Sequence, residues 1–214
     1  MAKTQGAYPA TLSVDFPDGK RNRLTSFFRV FTVIPIAIIL GLILSAATQW
    51  GSGDAESGWT YQYAAGGLLF LPLLLMILFR KKYPRWWFDW NLALTKFSTR
   101  VTVYCMLLRD EYPSTDEEQA VHIEIPYPDA EGELMRGMPL VKWFLAIPHY
   151  IVLFFLNIAV CVVSVIAWFA ILFVGRYPKD LFDFVAGVLQ WELRVSAYTV
   201  LLTTDRYPPF QLTD

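Results

Sequence analysis

The sequence predicts a mainly α, polytopic membrane protein. It is read as two parallel repeats of a transmembrane helical hairpin plus an interfacial amphipathic helix, with a small cytoplasmic β-sheet from the extended segments. Three observations carry this expectation. Charged residues make up 17% of the 214 residues and hydrophobic ones 55%, whereas a soluble domain carries about 25% charged residues. Trp143 to Gly175 runs 33 residues with no charge except a possible one on His149, too long for a buried core helix. The chain also resembles itself at fixed offsets, and such repeats set the architecture wherever they occur. A net charge of -1 and two cysteines exclude a basic nucleic-acid binder and a disulfide scaffold.

In chain order, the first 23 residues are polar and turn-rich, unlike a removable signal peptide, so this terminus is expected to be retained. The first repeat, 1–113, holds spans at about 27–47 and 64–79. Between them Thr48 to Tyr63 is rich in Gly, Asp and Glu, which is turn chemistry. An interfacial helix follows at about 84–104. The second repeat, 114–214, begins in an acidic linker. Arg109 to Glu133 has nine acids against one base, which reads as a solvated linker or a docking surface for a basic partner. The apolar stretch 138–175 would measure about 57 Å as one helix, nearly twice the bilayer core of about 30 Å. It is therefore divided at Asn157 into spans at about 138–156 and 158–175, and the second interfacial helix follows at about 178–202. Ala10 to Phe16 and Val121 to Tyr127 alternate apolar and polar residues and are strand candidates.

Charge sets the orientation, because Lys and Arg accumulate on the cytoplasmic face. Thr48 to Tyr63 has neither, whereas Lys20, Arg21, Arg23 and Arg29 precede the first span. Arg80, Lys81, Lys82 and Arg85 follow the second, and Arg176 and Lys179 follow the fourth. Both termini are expected in the cytoplasm of a bacterial cell, on the inner face of its cytoplasmic membrane. Trp50, Trp59, Tyr61 and Tyr63 then form an outer aromatic belt, and Trp86, Trp87, Trp90, Trp143 and Trp191 an inner one.

The self-similarity is explicit. Ile77-Leu78-Phe79, Tyr83-Pro84, Phe88-Asp89, Arg100-Val101 and Tyr104 recur 94 residues later, ending at Arg194-Val195 and Tyr198. Phe31 and Ile34-Pro35 recur at offset 113 as Phe144 and Ile147-Pro148. A hairpin crosses an even number of times, so both units would enter from one side, as parallel repeats. The strings YPATLSVDFPD, LVKWFLAIPHYIVLFFL, WFAILFVGRYPKDLFDFVAGVLQW and RVSAYTVLLTTDRYPPF resemble the bacterial membrane-protein family known as domain of unknown function 4389. The resemblance is strongest from Val121 to Leu212. It implies a multi-span bacterial membrane protein and supplies no reaction or binding residues.

Few residues are candidates for chemistry. His149, placed at membrane depth, is the one cofactor-binding candidate, as a proton relay or a metal or haem ligand; its bland alternative is a structural histidine. Arg85, Lys96 and Arg100, with Lys179 and Arg194, are candidates for lipid headgroups, on helices that pair Arg85 with Asp89 and Lys179 with Asp183. Cys105 and Cys161 lack zinc or redox spacing and read as apolar packing. No catalytic constellation, metal site or cofactor is expected, and the chain is not expected to be an enzyme. The expected function is a non-enzymatic membrane scaffold or accessory subunit in a homo-oligomer or larger membrane complex, with the lipid bilayer as a partner and nucleic acid as none. The alternative is a small-solute or lipid transporter or channel built from the two repeats.

Overall fold

The structure is a computed structural model that describes residues 8–45 and 73–212, apart from residues 18, 20, 116, 118, 131, 133 and 136. The loop 48–63 and most of the expected second span, 64–79, lie outside the described residues.

The alternating segments form a two-stranded antiparallel sheet. Strand β1 (Thr11–Val14) sets Leu12 opposite Ile123 and Val14 opposite Val121 of β2 (Val121–Glu124). One face is apolar and the other polar, as a half-buried sheet requires. Next comes α1 (Arg23–Phe27), whose Asn22 side chain accepts from the amides of Leu24 and Thr25 at 3.0 and 3.5 Å, a helix N-cap. Helix α2 (Arg29–Ser45) follows, then a π-helical turn, Met76–Arg80, and α3 (Arg85–Cys105). After β2 come α4 (Met138–Leu145), α5 (Ile147–Val174) and α6 (Lys179–Thr199). Helices α3 and α6 each start after a proline in extended backbone, Pro84 and Pro178, because the ring disfavours helix in the preceding residue.

Each strand rests on a long helix from the other strand's half of the chain: β1 on α6 and β2 on α3. Two aromatic clusters of like construction lock these contacts. Phe16 meets Phe182 edge-on at 5.0 Å, and Phe182 meets Tyr177 at 5.9 Å. Tyr127 meets Phe88 at 5.3 Å, and Phe88 meets Tyr83 at 6.2 Å. Such edge-to-face pairs add about 0.5–1.5 kcal/mol each beyond their buried area.

The polytopic expectation, with its two parallel hairpin repeats, is overturned. Residues 138–175 do not turn back at Asn157. The chain breaks earlier, at Ala146, where α4 ends and α5 begins. Pro148 causes this: it has no N–H to give the carbonyl of Phe144, and its ring collides with that carbonyl. Asn157 stays helical because its amide donates to Leu153 O at 3.0 Å, satisfying itself one turn back. Among the described residues one helix, α5, is long and apolar enough to cross a membrane. Its 28 residues span about 42 Å.

Helix α6 is not an interfacial helix with one face in lipid. Twelve of its 21 residues are buried, on all sides, and Trp191 is among them rather than in an aromatic belt. Gly175 ends α5 with φ +77° and donates to Ile171 O at 2.9 Å, a left-handed cap that favours glycine. Its own carbonyl accepts from the amide of Arg21 at 2.9 Å, and Phe173 O accepts from Arg23 at 3.2 Å. Gly175→Ala should lower the thermal unfolding midpoint, at a cost of about 1–2 kcal/mol for the left-handed backbone. An unchanged melt would show that this cap does not constrain the helix.

Candidate functional site

Among the described residues, two clusters that sequence reading missed join buried cations to carboxylates. In the first, the guanidinium groups of Arg21 and Arg29 both pair with Asp110 Oδ1, Arg21 at 3.1 Å. Arg29 also donates to Tyr104 O at 2.8 Å and Arg109 O at 2.6 Å, with its guanidinium 4.1 Å from the centre of the Tyr104 ring. In the second, the Lys142 ammonium pairs with Asp205 Oδ1 at 2.7 Å, donates to Thr204 O at 2.7 Å and lies 5.0 Å from the centre of the Tyr198 ring. Asp205 also accepts from the amide of Met135 at 2.7 Å. Each cluster joins buried cationic groups, two in the first and one in the second, to one carboxylate, backbone carbonyl oxygens and a tyrosine face.

The carbonyls of Arg109 and Thr204 are available because α3 and α6 both unwind just before them. Leu107 and Leu202 sit at φ 64° and 53°, left-handed positions where the ladder stops. Burial lowers the Lys142 ammonium below its ordinary value, while Asp205 opposes that shift. Arg21 is likewise lowered by burial and supported by Asp110. The clue in the sequence was that Arg29 and Lys142 stand 113 residues apart, the offset of the Ile-Pro pairs that follow them.

His149 is fully buried. Its Nδ1 accepts from the Trp191 indole at 3.0 Å, its ring stacks on Phe210 at 3.9 Å, and Tyr207 lies at 4.9 Å. These are the surroundings of a packed core histidine: an acceptor for an otherwise orphaned indole N–H, covered by aromatic rings. Among the described residues no group of three or more His, Cys, Asp or Glu could hold a metal ion.

The five headgroup candidates separate. Arg194 is fully buried, its Nη1 donating to Gln211 O at 3.2 Å, and Arg100 is buried with Nη1 donating to Ser114 O at 2.8 Å. Both arginines tie loops to helices, and their burial leaves no open surface for a headgroup. Arg85 and Lys179 are exposed and Lys96 is half-buried. Arg85 leans over the Tyr127 ring, 5.5 Å from its centre, rather than pairing with Asp89. Cys105 and Cys161 are both exposed, not packed as small core residues.

A further polar contact reaches the middle of the apolar helix. The Asn157 amide donates to Glu192 Oε1 on α6 at 2.6 Å. Burial raises the Glu192 carboxyl above its ordinary value, with the Asn157 bond opposing. A raised folded pKa means that the protonated form favours folding. That contribution is present below the ordinary carboxylate range and is lost as pH rises through the raised value. Glu192→Gln should therefore match the wild-type thermal midpoint at pH 4 and exceed it at pH 8. A difference independent of pH would refute the burial argument.

Fold and site together define a class: a mainly helical protein in which, among the described residues, one long apolar helix has the length and composition of a membrane span and rests on a body tied by buried ion pairs. Residues 138–211 match the family model described as "Domain of unknown function (DUF4389)", the family that the quoted strings resemble. That segment contains α4, α5 and α6, with Lys142, His149, Arg194 and Asp205. No curated protein and no solved structure matches the chain.

Proposed function

We propose that the protein is a non-enzymatic scaffold or accessory subunit of the bacterial cytoplasmic membrane. One observation carries this reading. Along α5 the buried residues His149, Leu153, Val160, Ala167 and Ile171 form a single stripe. The rest of the helix exposes large apolar side chains, including Phe154, Phe155, Ile158, Val165 and Phe169. Exposed apolar surface of this extent marks a membrane or protein interface. The stripe seats α5 on the polar body, and lipid or a neighbouring membrane helix covers the remainder. Washing membranes with alkaline carbonate should leave the protein in the pellet, and release into the supernatant would overturn the membrane assignment. Purified in mild detergent, it should give a discrete oligomer or complex by native mass spectrometry. A bare monomer would overturn the scaffold role.

A further inference from the structure

The chain passes from the exposed apolar side chains Leu75 and Phe79 straight into Arg80, Lys81 and Lys82. Lys81, at φ 49°, ends the π-helical turn, and its amide donates to Ile77 O at 3.2 Å. A surface cleft of about 470 Å³ opens here between residues 81–83 and 127–130. Its floor is fixed: the Tyr127 hydroxyl donates to Tyr83 O, and the Tyr127 ring meets those of Tyr83 and Phe88 edge-on. Lys81 and Lys82 line one wall, and Arg85 lies over the Tyr127 ring at the rim. Among the described residues Asp129 is the one carboxylate lining it, and its Oδ1 accepts from the amide of Gly132 at 3.1 Å. Directly beyond, Trp86 is 70% exposed and Trp90 54%, one turn apart on α3. Exposed tryptophans beside a basic turn and an apolar segment are the composition of a membrane–water boundary.

We propose that this cleft holds the phosphate of an anionic phospholipid headgroup. Lys82 and Arg85 supply the charge, and Trp86 and Trp90 rest at the level of the headgroups. The commitment to lipid rather than free phosphate comes from the flanking Phe79, Trp86 and Trp90, which give acyl chains and glycerol an apolar surface that a free anion does not need. The proposal rests on the membrane reading above and names the lipid class that the protein meets there.

The test uses the full chain, delipidated in mild detergent and followed by native mass spectrometry with phosphatidylglycerol or phosphatidylcholine. The wild type should retain phosphatidylglycerol at several-fold lower lipid concentration than phosphatidylcholine. Each basic residue near an anionic surface contributes about fivefold, so Lys82→Gln/Arg85→Gln should reduce the preference by roughly tenfold or more. Arg85→Lys should keep most of it, since the charge remains. Lys179→Gln, at the exposed start of α6, should leave it unchanged; an equal loss there would show a diffuse surface charge and overturn the cleft. Trp86→Ser should weaken both lipids alike. Displacement of phosphatidylglycerol by millimolar inorganic phosphate would show a free-anion site instead. Loss of lipid preference in a protein that still resists carbonate would overturn this proposal alone, whereas release by carbonate would overturn the membrane reading itself.

Discussion

Asp205→Asn should destabilise the protein by about 3–5 kcal/mol, because it leaves a buried ammonium without its counter-charge. Lys142 is 0% exposed and its Nζ lies 2.7 Å from Asp205 Oδ1. The remaining partners, Thr204 O and the face of Tyr198, are neutral and cannot offset the desolvation of a full charge. Lys142→Met/Asp205→Asn should recover much of the loss, since a buried pair replaced by apolar volume is often close to neutral. The measurement is the thermal midpoint in detergent of the two single variants and the double variant. If Asp205→Asn melts within about 1 kcal/mol of wild type, the buried pair is not what holds the 199–205 loop against α4.

His149→Ala should cost about 3–5 kcal/mol, the range of large-to-small core substitutions. Two effects add. The ring stacked on Phe210 at 3.9 Å disappears and leaves a cavity, and the Trp191 indole N–H, donating to Nδ1 at 3.0 Å, loses its acceptor inside the core. His149→Gln should cost much less, because the amide oxygen can accept from Trp191. Both variants can be compared by thermal melting and by the near-ultraviolet signal of Trp191. Equal losses for Ala and Gln would show that stacking alone matters. A Gln variant of full stability that has lost a visible absorbance band would overturn the structural role.

Patterns carried by neighbours in sequence were legible. Leu12 and Val14, and Val121 and Ile123, alternate with polar residues and form the two strands, because side-chain period follows directly from strand geometry. Pro84 and Pro178 mark the starts of two 21-residue helices, because proline acts on the backbone beside it. The break before α5 was also written locally, in Pro148. Dividing the apolar run by length at Asn157 overlooked that a single asparagine bonds comfortably within a helix, whereas a proline cannot.

What the sequence by itself determined is the apolar mass, the strands, the proline-started helices and the basic turn at Arg80 to Arg85. Only the tertiary structure decided which charges are buried. Counting Lys and Arg by side treated Arg21 and Arg29 as solvent-facing, yet both are buried against Asp110, which lies 81 residues beyond Arg29. It decided as well that α6 is a core helix and that Trp191 serves His149 rather than the bilayer surface. It also decided that α5 exposes apolar side chains on every face but one. The physical reason is common to all of these. Backbone preference and side-chain period act over a few residues, whereas burial of a charge or a ring depends on partners that only chain folding brings within about 3–5 Å, and no spacing along the chain encodes that distance.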